Sequence, residues 1–372
     1  MEFKQLTQKT LAEVAPKKLL EKNITLDGSS LEIYQRQVDL NQTENIVCIG
    51  LGKAASFQLK ALYERFDVIG VPREKLKKGL SITKANHSVS GNENFDQIEG
   101  DHPFCGHNSV VAGEKLLDFV KNLHENTLVV FMLSGGASML AVAPLTPFSL
   151  DEKINFNKKM ILEGCPIETL NLFRKQMSQI KNGGLLCASA AKNWISLISV
   201  DVPSDEVFTV GSGPSIYKQS NVIDLEVLSK NWVEPHLAGF SKKFINYLHS
   251  KEWKSYQQYL DKQYNLKDHH VVVFSDQSLL KKNTIEILLQ EGIDEILQFN
   301  EPLSQSVDDA VSKHVAVIER CLLGSRDNSF ALVSTGECEV DVKGDGQGGR
   351  NTEFVLRLAQ KLFENSEGVL SV

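Results

Sequence analysis

Short uninterrupted apolar runs alternate along the chain with stretches whose apolar positions recur every three or four residues. The runs 46–49, 128–133 and 194–200 each read as a buried strand. Phe3, Leu6, Leu11, Val14 and Leu19 carry helical spacing over 3–22, and 109–124 reads as an amphipathic helix. Two shorter runs, 68–71 and 80–83, are further strand candidates. Apolar strands bounded by turn residues and alternating with helices point to a parallel sheet covered on both faces.

Local signals sharpen several boundaries. Ser149-Leu150-Asp151-Glu152 places Ser and Glu three apart, a capping box that opens a helix running to about Glu163, with Gly164 ending it. Pro166 starts a second helix over 166–180. The polar, Lys-, Gln- and Tyr-rich segment 218–268 reads as helical and as the bridge between two domains. Beyond it, strands at 270–275, 293–299 and 329–334 alternate with helices at 278–291 and 304–323. Cys338, Val340 and Val342 alternate with Glu339, Asp341 and Lys343, the pattern of a half-exposed strand. A glycine-rich run and a last helix from Asn351 follow, and no internal repeat is visible. Two α/β domains are expected.

Composition narrows the function classes. With 372 residues, 42% hydrophobic and 23% charged, the chain can bury a core in each domain, which excludes a disordered, collagen-like or disulfide-scaffold protein. The net charge of −7 gives no basic footprint, so no nucleic-acid partner is expected. The start, Met1-Glu2-Phe3-Lys4-Gln5, lacks the apolar stretch of a signal peptide, and the run 128–133 is far short of the roughly 20 residues that span a bilayer. No membrane partner is expected. Six scattered cysteines without a Cys-x-x-Cys pair fit reduced thiols in the cytoplasm and disfavour a zinc site.

Four glycine-bearing loops follow strands directly or nearly so, where open parallel sheets bind ligands. Gly50-Leu51-Gly52-Lys53-Ala54-Ala55 satisfies the minimal dinucleotide fingerprint, Gly-x-Gly-x-x-Ala, yet no acidic residue stands at the next strand's end. Lys53 at a helix N-terminus instead adds a full charge to backbone N–H donors, which suits phosphate or carboxylate; a tight turn with a solvated lysine is the alternative. Ser134-Gly135-Gly136-Ala137-Ser138 lets backbone donors converge on an anion and is not a Gly-x-Ser-x-Gly nucleophile elbow. In the third stretch, Lys181-Asn182-Gly183-Gly184 ends a helix, and Asp201-Val202-Pro203-Ser204-Asp205 offers two carboxylates that can hold magnesium or take a proton from a hydroxyl. Gly211-Ser212-Gly213-Pro214 adds a polar turn. The fourth, Gly344-Asp345-Gly346-Gln347-Gly348-Gly349-Arg350, sets an arginine fork beside Asn351 as N-cap, with Glu337 at the preceding strand end. His87, His102 and His107 match no zinc spacing. Cation-plus-glycine anion sites with carboxylates nearby are the equipment of phosphoryl transfer.

Taken in order, Gly50-Leu-Gly-Lys53-Ala, Asp101-His102-Pro103, Ser134-Gly-Gly-Ala-Ser138, Arg174-Lys-x-x-Ser178-x-x-Lys181, Asp201-Val-Pro-Ser-Asp205, Ser212-Gly-Pro214, Gly336-Glu337 and Gly348-Gly-Arg350-Asn351-x-Glu353 resemble the glycerate 2-kinase family, whose C-terminal part is the MOFRL domain. The resemblance spans nearly the whole chain. It implies a larger Rossmann-like α/β/α domain over 1–240, including the bridging helices, a smaller MOFRL-type α/β domain over 241–372, and an active site in the cleft between them. It implies ATP and Mg2+ as cofactors and phosphorylation of D-glycerate to 2-phosphoglycerate. Oligomeric state is left open.

By the same resemblance Lys53, Arg350 and Asp201 are the catalytic candidates: Lys53 on the transferring phosphate, Arg350 on phosphate or the glycerate carboxylate. Gly50, Gly52, Ser134, Gly135, Gly136, Ser138, Lys181, Asp205, Glu337 and Asn351 are candidates for binding substrate or phosphate. Asp201 or Asp205 would hold Mg2+ or act as base. The chain departs from the pattern at Lys181-Asn182-Gly183-Gly184, which lacks one basic residue, at Val200-Asp201-Val202-Pro203 and at Cys105-Gly106. It stops at Leu370-Ser371-Val372, where family members continue into a Thr-Asp-Gly-x-Asp-Gly loop, so a shortened C-terminal domain is expected. The rival readings are a nicotinamide-dependent hydroxypyruvate reductase and a ligand-binding member with impaired chemistry.

Overall fold

The computed structural model describes residues 3–201, 207–218, 225–235, 240–324, 329–341, 344 and 346–365. They divide into two compact units: one holds 16–201 and the described segments up to Phe274, the other holds the first helix and the chain from Ser275 onward.

Helices α1 (Phe3–Glu13) and α2 (Pro16–Asn23) stand where one helix was expected. The break falls before Pro16, whose ring disfavours helical geometry in the residue ahead of it and which itself suits a first helical position. Strands β1 (Ile24–Asp27), β2 (Ser30–Ile33) and β3 (Arg36–Asp39) form a small antiparallel meander. The alternation then begins: β4 (Asn45–Leu51), α3 (Ala55–Ile69), β5 (Leu76–Lys84), β6 (Phe95–Gly100), α4 (His107–Lys121) and β7 (Thr127–Leu133). Short α5 (Ala137–Leu140), the pair α6 (Leu150–Leu162) and α7 (Ile167–Gln176), α8 (Gly184–Ala188) and β8 (Asn193–Ser199) follow. After a single 3-10 turn at Val210–Ser212 come α9 (Leu225–Trp232), α10 (Lys242–Ser250), α11 (Glu252–Tyr264) and β9 (Asp268–Ser275).

The main sheet runs β6-β5-β4-β7-β8-β9, with β6, β5, β4, β7 and β8 mutually parallel. Strand β7 is buried at every position and β4 at all but its first, which is why their sequences are continuous apolar runs rather than alternating ones. Strand order reverses direction between β4 and β7. Connections leave the carboxyl ends of those two strands toward opposite faces, opening a crevice there.

Beside the sheet, α6, α7, α9, α10 and α11 enclose an aromatic core of Phe148, Phe156, Phe173, Phe244, Tyr247 and Trp253. The capping box that starts α6 forms as expected: Ser149 Oγ accepts from the Glu152 N–H at 3.2 Å, and Glu152 accepts from the Ser149 N–H at 2.8 Å. In the other unit, α12 (Gln277–Gln290), β10 (Glu295–Gln298), α13 (Val307–Gly324), β11 (Phe330–Val333) and α14 (Arg350–Asn365) surround a core of Leu303, Val307, Ala310, Val311, Val315 and Cys338. Strands β10 and β11 pair in parallel, and α1 lies against α12 with Lys9 paired to Glu291.

Three local expectations are corrected. Residues 68–71 complete α3 and its left-handed C-cap at Gly70 rather than forming a strand. The strand expected to open the second domain, 270–275, is β9 and extends the first sheet beside β8; its alternation carried no record of which sheet it joins. Around Cys338 the described residues make two isolated parallel bridges, Leu303 to Gly336 and Ser306 to Glu339, rather than a strand, with Cys338 facing the core. No described helix is long and apolar enough to cross a membrane.

Candidate active site

The turn after β4 and the turn after β7 are laced together. The Lys53 N–H donates to Gly135 O at 2.9 Å, the Ser134 N–H to Leu51 O at 3.0 Å, and the Ala54 N–H to Ser134 Oγ at 3.1 Å. Gly52, at φ +134°, presses against Ser134 so closely that any Cβ would overlap its carbonyl and hydroxyl oxygens. Ser134, expected to bind ligand, is 4% exposed and its oxygen is given to this lacing. Gly50 is likewise packed, under Leu59 and Ala55 of α3.

Lys53 is exposed, and its backbone is fixed from a third strand: Thr83 Oγ1 donates to Lys53 O at 3.2 Å, and His87 Nδ1 lies 3.1 Å from the same oxygen. Its stem runs along Gly136, where a Cβ would stand 3.0 Å from Lys53 Cγ and Cε and 3.2 Å from His102 Cδ2. Gly136 also has φ +85°, so its backbone favours glycine, while Lys53 and His102 lie close to where a side chain would go. On the next residue back, a Cβ at Gly135 would overlap the Asp201 carboxylate. Lys53, His102 and Asp201 therefore converge on the two glycines after β7. Partial burial, then the charges of Lys53 and Lys84, lower the His102 imidazole below its ordinary range, so it is neutral at pH 7.

Lys181 reaches the same loop from the other side. Its Nζ donates to Ser212 Oγ at 3.2 Å and to Ser138 O at 3.5 Å, and the two serine hydroxyls are 2.8 Å apart. Backbone bonds from Asn182 to Ser212 O and from Gly183 to Gly213 O hold that corner. Asp205 lies outside the described residues.

Glu337, Arg350 and Asn351 belong to the other unit. Arg350 Nη1 is 3.6 Å from Glu337 Oε2, and both side chains are exposed. Helix α14 begins at Arg350, with Glu353 N–H bonded to Gly349 O at 3.0 Å, so Asn351 sits inside the first turn instead of capping it. The candidates thus fall into one assembled group, around Gly135 and Gly136, and one ion-paired group at the start of α14.

Sequence reasoning quoted His102 and Ser212 within motifs, with His102 able to line a pocket, but gave neither a role in the site. His102 followed Asp101 in a quoted motif, and Ser212 stood in a glycine turn, but only the fold brings either to the β7 loop.

Residues 2–239 match the model of a family described as a domain of unknown function, DUF4147. The D-glycerate 2-kinase of Thermotoga maritima is 30% identical over 328 residues, spanning 88% of this chain and 74% of that protein. The chain belongs to the glycerate 2-kinase family. The glycerate 2-kinase of Picrophilus torridus is 28% identical, over 87% of this chain and 72% of that one. Among solved structures, a glycerate kinase from Thermotoga maritima superposes with a TM-score of 0.71 at 24% identity, covering 96% of this chain and 78% of its own; this likeness speaks for the fold.

Proposed function

We propose that this protein is an ATP-dependent glycerate 2-kinase that converts D-glycerate to 2-phosphoglycerate. The observation that carries the proposal is the convergence of Lys53, His102 and Asp201 on Gly135 and Gly136, at the reversal point of a parallel sheet, in a chain of this family. Backbone spaces that only glycine can leave, an exposed ammonium and a carboxylate are what an in-line phosphoryl transfer needs.

In this reading the 2-hydroxyl oxygen of glycerate attacks the γ-phosphorus. The new O–P bond forms as the bond from phosphorus to the β,γ-bridging oxygen breaks, and ADP departs with that electron pair. Asp201 takes the hydroxyl proton, Lys53 balances charge on the transferring phosphoryl oxygens, and neutral His102 hydrogen-bonds the acceptor. Arg350 and Asn351 serve phosphate or the glycerate carboxylate, with Glu337 positioning the guanidinium. The part of the chain beyond the bridging helices is read as MOFRL-type.

Magnesium fits this donor set as a shared ligand. Among the described residues no three His, Cys, Asp or Glu side chains cluster for a metal, while Mg2+ ordinarily needs only one or two carboxylates beside waters and substrate phosphates. Of Asp201 and Asp205, the one that does not take the hydroxyl proton would hold it. When bound, the ion would neutralise charge on the β- and γ-phosphate oxygens.

The reductase alternative loses its main support. In a dinucleotide site the second glycine leaves room for pyrophosphate, but here that side of Gly52 is filled by Ser134, and β5 ends on Lys84 rather than an acid. Incubating the full chain with Mg-ATP, with and without D-glycerate, tests the proposal. Glycerate-dependent ADP release is expected. NADH consumption with hydroxypyruvate, or ATP binding with no turnover on any hydroxy acid, would overturn it.

A further inference from the structure

Helix α6 buries Lys153, Phe156 and Met160, spaced by three and four, so a lysine occupies a position on the core-facing side of an amphipathic helix. Lys153 is 7% exposed, and its Nζ is buried with no hydrogen-bond partner among the described residues. A buried ammonium without a partner is expensive, and side chains of this kind are normally paired. Arg174 and Lys181 interact electrostatically with Lys153, and Lys175 with Lys181. Among the described residues Arg174 on α7 donates to neutral acceptors, Asn157 Oδ1 at 3.0 Å and Asn171 Oδ1 at 3.1 Å. Lys175 is 9% exposed and Lys181 is 8% exposed, the latter meeting serine oxygens among the described residues. Among the described residues no carboxylate forms an ion pair with Lys153, Arg174 or Lys181.

The electrostatics agree with the geometry. Desolvation, and secondarily Arg174, lower the Lys153 ammonium to about 8. Desolvation, then Lys153 and Arg174, lower the Lys181 ammonium well below its ordinary range. Desolvation also lowers Arg174. Among the described residues the Cys105 thiol is the one group that opposes the lowering in all three. Phe156 and Met160 of α6 and Leu170 and Phe173 of α7 pack in one aromatic core, which fixes the two helices that carry Lys153 and Arg174.

We propose that Lys153, Arg174 and Lys181 form an oxyanion pocket that takes a carboxylate or phosphoryl group and supplies the missing counter-charge. The pocket adjoins the β7 loop through Lys181, Ser138 and Ser212, which hands the bound anion to the crevice already described. Its assignment to a substrate group of the kinase rests on the proposed function; its capacity for an oxyanion does not. Lys153 also explains why a binding residue escapes recognition in the sequence: it occupies the place of a core side chain.

The test uses the full chain, inorganic phosphate as probe, and thermal unfolding at constant ionic strength. Phosphate is expected to raise the Tm of the wild-type protein, because a ligand that binds only the folded state stabilises it. Lys153→Met is expected to raise the Tm without phosphate, since it replaces an unpaired buried charge by an apolar side chain of similar length, and to weaken phosphate tenfold or more. Equal phosphate affinity in the variant overturns the pocket, as does a lowered Tm with no change in affinity, which would make Lys153 a packing residue. Should Lys153→Met fail to fold, Arg174→Gln carries the same expected loss of affinity. Separate titrations with D-glycerate and ATP identify the source of the anion by which of them Lys153→Met weakens. Lys153-dependent phosphate binding in a protein that takes neither D-glycerate nor ATP would keep the pocket and remove the kinase reading. Glycerate-dependent ADP release from a protein in which Lys153→Met changes no affinity would keep the kinase and remove the pocket.

Discussion

At the carboxyl ends of β4 and β7, glycines are pressed against Ser134, Lys53 and Asp201, and backbone bonds tie the two turns together. At the start of α14, the glycine run has open space around Gly344, Gly346 and Gly349, and Arg350 meets Glu337 in solvent. Both places present a cation next to glycines and a helix start. In the first, backbone and functional side chains already stand where a side chain would go, and Gly52 in particular faces the Ser134 backbone. In the second, glycine leaves the chain unencumbered. The contrast separates a site pre-formed by packing from one whose arginine is held only by an exposed ion pair, worth about 0–1 kcal/mol.

That contrast yields expectations of decreasing size. Lys53→Ala should lower kcat on the order of 10³-fold with the Tm nearly unchanged, since the side chain is exposed and its proposed work is on the transition state; steady-state kinetics near the wild-type values would end its assignment. Gly135→Ala should cost on the order of 10²-fold in kcat/KM, because the new methyl displaces the Asp201 carboxylate. A crystal structure of this variant with Asp201 unmoved would contradict the close approach. Arg350→Ala should cost on the order of 10²-fold in kcat/KM while shifting the Tm by less than Gly135→Ala does, reflecting the exposed pair. Equal Tm losses in the two variants would erase the distinction between a packed and an open site.

A fourth expectation concerns pH. The folded state holds Lys153 near 8, whereas the unfolded chain holds lysine near 10.5. Between those values the unfolded chain binds the extra proton, so this group makes stability rise with pH from about 8 to about 10.5, and its penalty is complete below 8. The titratable groups around it are the cations Arg174, which adds to the effect, and Lys181, and the Cys105 thiol, which opposes it. Denaturant unfolding of wild type and Lys153→Met should therefore converge by at most about 3 kcal/mol across that window. Parallel curves would place the ammonium in water. The smallest effect is Ser134→Ala, expected to cost about 1–3 kcal/mol of stability by leaving the Ala54 N–H without its acceptor.

The central sheet was legible because β4, β7 and β8 are apolar runs of strand length, and the start of α6 because a capping box is a local signal. β6 was not, since its sequence, Phe95-Asp96-Gln97-Ile98-Glu99-Gly100, is largely polar for a strand at the sheet edge. The placement of β9 was equally hidden, because periodicity says that a strand exists and not which partner it finds. In the candidate site, Lys53 and the glycines could be read from motif chemistry. Ser134 could not be told apart as a tether, nor Lys153 as a buried cation, because both depend on neighbours remote in sequence: Ala54 for one, Arg174 and Lys181 for the other.

The most direct measurement is the chemical identity of the product formed from Mg-ATP and D-glycerate by the full chain, read by 31P NMR, with Lys53→Ala beside it. The expected result is a phosphoryl group on the 2-oxygen, with formation of that product nearly abolished in the variant. Phosphorylation at the 3-position, unchanged turnover in Lys53→Ala, or no phosphorylated acid at all would contradict a 2-kinase centred on Lys53 and the β7 loop.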